Sequence, residues 1–294
     1  MKISKLLKMT AIGTLLIASL AGCGANSGNN NSADGGKSLS GSEITVISRE
    51  ANSGTRGAFD ELMNIVVKDG DKTVDKLYPE AVLVDSTDAV TSKVEVDKYA
   101  IGYTSLGAVT DAVKAIKVDN IAATAENVKN GTYKISRPFV LAVPNNASDT
   151  AKDFIKYVTS ADAQKTVSEK GYIPLDTTEN YQVSGATGKL TLSGSTSVEK
   201  LIEKLKEDYI ALNPNVSIEI TYSGSSAGIK DVTEGKVDLG MSSRALKQEE
   251  KATLTETVFA HDGIAVIVNK DNPVDGLTSD EINSIFTGET REWK

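Results

Sequence analysis

Ile44-Thr45-Val46-Ile47-Ser48-Arg49-Glu50-Ala51-Asn52-Ser53-Gly54-Thr55, residues 44–55, decides the fold. Ile44 and Val46 alternate with polar neighbours, which predicts a strand with one covered face. Glu50-Ala51-Asn52-Ser53-Gly54 is a turn. Beyond it, Phe59, Leu62, Met63, Val66 and Val67 recur at helical spacing. A strand that enters a helix through a small-residue turn is the repeating unit of an α/β fold.

The same design occurs twice more, at Ser193-Gly194-Ser195-Thr196-Ser197 and at Ser223-Gly224-Ser225-Ser226-Ala227-Gly228. Before the first, Leu190-Thr191-Leu192 predicts a short strand. After it, Val198, Leu201, Ile202, Leu205 and Tyr209 share one helical face, and Thr196 with Glu199 has the spacing of a capping box. Before the second, Val216, Ile218, Ile220 and Tyr222 alternate as a strand. After it, 224–235 predicts a turn and helix, and 237–241 another strand. Phe154, Ile155 and Val158 mark a further helix, 160–170 the next, stopped by Gly171, and 277–286 a last one. Ile264 to Val268 is continuously apolar and predicts a strand covered on both faces. Residues 176–188 have a linker composition. The rhythm predicts α/β layers around mostly parallel sheets.

A helix start presents free N–H groups, and its dipole favours negative charge. Glycine lets backbone approach a ligand closely, and Ser and Thr hydroxyls add donors. Three such starts suit a tetrahedral oxyanion; each taken alone reads first as a plain N-cap. Arg49 reads either as a bidentate clamp on anion oxygens or as a solvated charge at a strand end. Asp238 and Asp262 read as acceptors of a ligand proton or as solvated or capping residues, and His261 as a structural or surface residue near a strand start. No segment has the Gly-Lys-Ser/Thr ending of a Walker loop.

The 294 residues have room for two domains, and 39% hydrophobic with 5% aromatic residues means cores built mainly on Val, Ile, Leu and Ala. A net charge of -8 disfavours nucleic acid. The single cysteine, Cys23, excludes an intrachain disulfide, and one histidine leaves a zinc site short of ligands. No cofactor or metal is expected. At the start of the chain, Lys2, Lys5 and Lys8 precede an apolar stretch over 11–21, too short for a membrane span, which predicts a secretion signal over 1–22. It ends in Leu20-Ala21-Gly22-Cys23, which resembles a bacterial lipobox and implies lipidation of Cys23. Residues 23–42, rich in Gly, Asn and Ser, are expected to be a flexible tether.

At these residues the chain resembles the phosphate-binding proteins of the phosphate-specific ABC transporter. The resemblance runs through 44–49 into Ser53-Gly54-Thr55-Arg56-Gly57-Ala58-Phe59, Ser193 to Val198, Gly224 to Lys230, and Val237 to Arg244. It also takes in Ile101-Gly102-Tyr103, Gly171-Tyr172-Ile173-Pro174, Asp262 to Asn269 and Ile285-Phe286-Thr287-Gly288. It covers about 43–175 and 189–294, in an order exchanged relative to the family, as in a circular permutation whose joint is 176–188.

The resemblance implies a two-domain periplasmic-binding-protein clamshell of mixed sheets flanked by helices. One domain is discontinuous, 43–132 plus 270–294; the other, 144–262, is contiguous; hinge crossings fall at 133–143 and 263–269. The family's phosphate ligands carry over to Arg49, Ser53, Gly54 and Thr55 on one side and Thr196, Ser197 and Ser225 on the other. Ser243 stands where the family has a cleft aspartate, so the choice between phosphate and sulfate is left open. The implied function is extracytoplasmic capture of inorganic phosphate by a monomeric lipoprotein, held on the cell membrane through Cys23, for delivery to an ABC permease. Capture of another tetrahedral oxyanion, or phosphate sensing without transport, are the alternatives. An enzyme is not expected, since neither a metal cluster nor a nucleophile with a base is present.

Overall fold

The computed structural model describes residues 39–70 and 72–294. The expected signal over 1–22, the lipidated Cys23 and most of the tether lie outside the described residues. The chain order begins β1 (Thr45–Arg49), α1 (Gly54–Leu62), β2 (Val66–Asp69), β3 (Lys72–Asp75), β4 (Val82–Val84), α2 (Thr87–Val96) and β5 (Ala100–Ser105). It continues with β6 (Val113–Ala115), β7 (Lys117–Val118), α3 (Ala125–Lys129), β8 (Ser136–Pro144), α4 (Asp149–Val158), α5 (Ala161–Glu169), β9 (Gly188–Gly194) and α6 (Glu199–Leu212). The remainder is β10 (Val216–Tyr222), α7 (Ser225–Thr233), β11 (Leu239–Ser242), β12 (Leu254–Asn269), β13 (Gly276–Leu277) and α8 (Ser279–Phe286).

Among the described residues one large sheet has the order β10-β9-β11-β8-β12-β5-β1-β4, with β6 also pairing β12. The sheet is mixed rather than mostly parallel. β10, β9 and β11 run parallel at one end, and β5, β1 and β4 at the other. Between them β8 and β12 lie antiparallel to each other and to their outer neighbours. The apolar run 264–268 is only the second half of β12, which begins ten residues earlier, at Leu254.

The alternation of strand side chains divides the buried residues. Phe139, Leu141, Leu190, Leu192 and Phe259 meet Phe154, Tyr157, Leu201, Leu205 and Tyr209 of the helices in one core. Val140, Ala142, Ile229, Val232 and Leu254 fill the opposite face of the same strands. A separate core holds Phe59, Ile101, Tyr103, Ile264, Val266 and Phe286, and the face behind it holds Ile47, Val90, Val94, Ala265 and Ile267. Phe59 stacks on Tyr103 with centroids 4.1 Å apart and meets Phe286 edge-on at 5.0 Å. Strands covered on both faces explain why 264–268 is apolar without a break. β12 contributes side chains to both cores, and at the changeover Asp262 lies opposite Arg137 of β8.

Four local expectations change. The helix that starts at Gly54 ends at Leu62, because Asn64 adopts a left-handed φ of 54°, and Val66 and Val67 open a strand instead. Thr196 does not cap α6: residues 196–198 form a tight 3-10 turn, and α6 begins at Glu199 without a side-chain cap. The capping box in the described chain is Thr278 with Glu281, at α8. The end of the tether is packed, not free: Leu39 is buried, and Gly41 and Ile44 donate to the carbonyls of Trp293 and Arg291. Residues 174–187 carry no helix or strand but are fastened, with Tyr181 Oη donating to Asp153 at 2.6 Å and Ala161 N to Glu179 O at 2.7 Å.

Candidate functional site

β1 delivers Ser48 and Arg49 to the edge of its core, and the turn behind it delivers Asn52 to Thr55. Ser48 Oγ pairs with Tyr103 Oη at 2.8 Å, and the same phenol accepts from Arg49 N at 3.2 Å. Burial among apolar neighbours raises the Tyr103 pKa, so it stays a neutral hydroxyl. Ser53 is the N-cap of α1, its Oγ accepting from Arg56 N at 3.3 Å. Gly54 and Thr55 are then the first two helical residues, whose N–H groups find no carbonyl in a preceding turn.

The opposing wall is built by β9, β10 and β11 with their following turns. Gly194 has φ 148° and an added Cβ would strike Met241, so the chain leaves β9 only because this residue is glycine. The carbonyl of Gly194 accepts from both Ser223 N and Gly224 N at 2.9 Å, and Ser195 N donates to Met241 O at 3.0 Å. These bonds hold the turns after β9, β10 and β11 side by side. Ser225 opens α7, and its Oγ accepts from Ser243 N at 3.1 Å.

The two walls touch. Thr55 Oγ1 lies 2.7 Å from Ser197 Oγ. Ser225 Oγ and Ser243 Oγ are 3.3 Å apart, directly against Gly54: an added Cβ there would be 2.8 Å from Ser243 Oγ. Asn52 meets Ser223, Gly224 and Ser226. Of the residues expected at the site, Gly54, Thr55, Ser197, Ser225 and Ser243 therefore converge. Thr196 joins them through Thr87, whose Oγ1 lies 3.1 Å from Thr196 Oγ1 and 3.0 Å from Ser197 Oγ. Ser53 Oγ accepts one bond as the helix cap and keeps its O–H as a donor.

Arg49 is 2% exposed and already engaged. Its Nε and Nη2 fork onto the Glu50 carboxylate at 3.2 and 2.9 Å and onto the carbonyls of Val84 and Asp85 at 3.3 and 2.9 Å. Nη1 has no hydrogen-bond partner among the described residues. Arg56 braces this strand end, donating to the Arg49 carbonyl at 3.1 Å and to Asp60 Oδ2 at 3.0 Å. Burial pushes the Asp60 carboxyl up to about 6 despite that pairing.

Neither aspartate offered as a proton acceptor faces this cluster. Asp238 Oδ2 accepts from Thr191 N and Oγ1, each at 2.7 Å, and holds β9 to β11. Asp262 is fully buried against Arg137, with Nη2 to Oδ2 at 2.9 Å, and burial raises its pKa. His261 lies exposed within β12, not at a strand start, bridged to Ile173. Thr87, Glu50 and Asn52 were missed. Thr87 follows Val82-Leu83-Val84-Asp85-Ser86, the same strand, polar turn and helix order, but without a glycine to flag it. Among the described residues, no group of three or more His, Cys, Asp or Glu is placed to hold a metal ion.

Residues 26–162 and 180–294 match the model of the PBP superfamily domain. The phosphate-binding protein PstS 2 of Streptococcus agalactiae is 43% identical over 298 residues, spanning all of this chain and 98% of the relative. PstS 2 of Streptococcus pneumoniae is 43% identical over 294 residues, spanning 100% and 99%. The crystal structure of a phosphate ABC transporter phosphate-binding protein from Streptococcus pneumoniae TIGR4 is 44% identical, covers 85% of this chain and 98% of its own, and superposes with a TM-score of 0.70. With its whole length aligned in one order to proteins of the same size, the chain belongs to the PBP superfamily and, within it, to the family of the PstS phosphate-binding proteins.

Proposed function

We propose that this protein captures inorganic phosphate between its two walls and presents it to an ABC importer. The observation that carries this reading is the meeting of Gly54 and Thr55 from the α1 start with Ser197, Ser225 and Ser243 from the other core. Relatives identical at 43% over the full length bear the name of phosphate-binding proteins. In the proposed complex the amides of Gly54, Thr55 and Ser225 and the hydroxyls of Thr55, Thr196, Ser197, Ser225 and Ser243 surround the anion. Ser53 supports the first of these turns by capping α1. Arg49 supplies charge through the free Nη1 edge, while Glu50 fixes the plane of the guanidinium.

The hydroxyls that hold one another now would exchange those partners for phosphate oxygens. The two cores act as lobes, 43–132 plus 270–294 and 144–262, moving about β8 and β12. Closure expels water, and charge-assisted bonds gain strength in the dry cleft. Binding alone is required, so no bond in the ligand breaks. Lipidation of Cys23 would keep the protein beside its permease on the extracytoplasmic face. Among the described residues no helix is long and apolar enough to cross a membrane. The exchanged order of the halves is read as a permutation carried also by the streptococcal relatives, which align from end to end.

A second reading, capture of sulfate, is favoured by Ser243, because a hydroxyl does not repel a fully ionised oxyanion as a carboxylate would. Calorimetric titration of the purified protein with phosphate, sulfate and arsenate separates the two. Saturable phosphate binding with one site supports capture, and preference for sulfate replaces it with the second reading. Silence toward all three removes both.

A further inference from the structure

Asn52 is bound to the opposite wall at three points. Its Nδ2 donates to Ser223 O at 3.2 Å, and its carbonyl accepts from Ser226 N at 3.1 Å. Its amide carbon also packs where a Cβ on Gly224 would sit, 3.1 Å away. Gly224 itself has φ 89°, a conformation in which other residues are strained. Ser223 to Ser226 is the turn that presents Ser225 and opens α7. The pair 52 and 223–226 is 171 residues apart in sequence at the Ser223 contact, so these bonds exist only when the two walls meet.

We propose that Asn52 is a positioning residue: a latch that holds the walls together and sets the rate at which captured phosphate is released, without touching the ion. This rests on the phosphate-capture reading above. The latch is a light one. Asn52 Oδ1 is buried and has no hydrogen-bond partner among the described residues, so closure leaves one acceptor unsatisfied and opposes the gain from Nδ2. The main-chain bond from Ser226 survives any substitution at 52. The side chain alone therefore tunes the closed state, by the worth of one hydrogen bond and one packed contact less the cost of the unpaired Oδ1.

The test uses the wild type, Asn52→Ala and Asn52→Leu, the latter keeping the volume without the donor. Phosphate affinity is measured by calorimetry, release by rapid filtration of radiolabelled phosphate, and closure of the ligand-free protein by small-angle scattering. Both variants should bind phosphate about two- to fivefold more weakly, less than one full net hydrogen bond because the unpaired Oδ1 is removed with the donor. The change should lie in the release rate, with the melting temperature of the ligand-free protein unchanged and its radius of gyration larger. Wild-type release rates in both variants overturn the proposal. So does a lowered melting temperature with unaltered release, which makes Asn52 a residue of the fold alone. If the wild type binds no phosphate yet the variants expand, phosphate capture falls and the latch stands.

Discussion

Gly54→Ala places a methyl group into the closest approach of the two walls. An added Cβ would lie 2.8 Å from Ser243 Oγ and 2.9 Å from Ser225 Cβ, and nearer still to Ser225 Oγ. Carbon contacts settle at about 3.5–4.0 Å, so the walls must part by about 0.6–1 Å. The Thr55–Ser197 pair, now 2.7 Å, would open to about 3.5 Å, and Asn52 to Ser223, now 3.2 Å, to about 4 Å, both outside good geometry. A phosphate ion spanning the cleft would then lose about two charge-assisted bonds, each worth about 1.5–3 kcal/mol. The dissociation constant should rise by about 10²- to 10⁴-fold. The fold itself should not suffer, since Gly54 opens α1 with an ordinary φ and alanine is the better helix former by up to about 1 kcal/mol. Calorimetry with phosphate, thermal unfolding and small-angle scattering on the same samples separate the two effects. The expected variant is at least as stable as the wild type, more open and nearly unable to bind. Affinity within about fivefold of the wild type would show that closure at Gly54 does not create the site, and the reasoning from this contact would fail.

Arg49→Ala should weaken phosphate binding by at least about 10²-fold, because the guanidinium charge is lost and the Glu50 carboxylate is left without its partner; unchanged affinity in calorimetry would remove Arg49 from the site. Ser243→Asp should raise the ratio of phosphate to sulfate affinity, since only phosphate can donate a proton to the carboxylate; an unmoved ratio would place position 243 off the ligand. Asp60 titrates at about 6 when folded against 3.8 as the ordinary value, so its contribution to stability is complete below about 3.8 and is lost as pH rises through about 6. The stability of the wild type relative to Asp60→Asn, from urea unfolding, should therefore fall by about 3 kcal/mol between pH 4 and pH 7.5; a flat difference would mean that Arg56 compensates the burial fully.

What the sequence made legible was local. Each strand, turn and helix unit is written in a dozen consecutive residues, and alternation at Val216 to Tyr222 or helical spacing at Leu201 to Tyr209 needs no knowledge of distant chain. What it hid depends on contacts far along the sequence. The first half of β12, Leu254 to Asp262, mixes Thr, Glu and His with apolar residues, because it lies between β8 and surfaces of differing exposure, so no simple period marks it as strand. The helix after Gly54 shares its apolar pattern with β2, and only the left-handed Asn64 separates them. At the site the three glycine-bearing turns and a cap at their start could be picked out, but not that Arg49 would lean on its own neighbour Glu50. Thr87 pairs with Thr196 across 109 residues, a relation that only folding creates.

β12 is shared property: it lends Phe259 and Ala260 to the packing at one end of the sheet and Ile264, Val266 and Val268 to the other, and Arg137 of β8 locks onto its Asp262 where one end gives way to the other. Neither end can melt without stripping partners from a strand the other needs. Thermal denaturation should accordingly proceed as a single cooperative event, with calorimetric and van't Hoff enthalpies in agreement, even with the hinge motion proposed for its two ends.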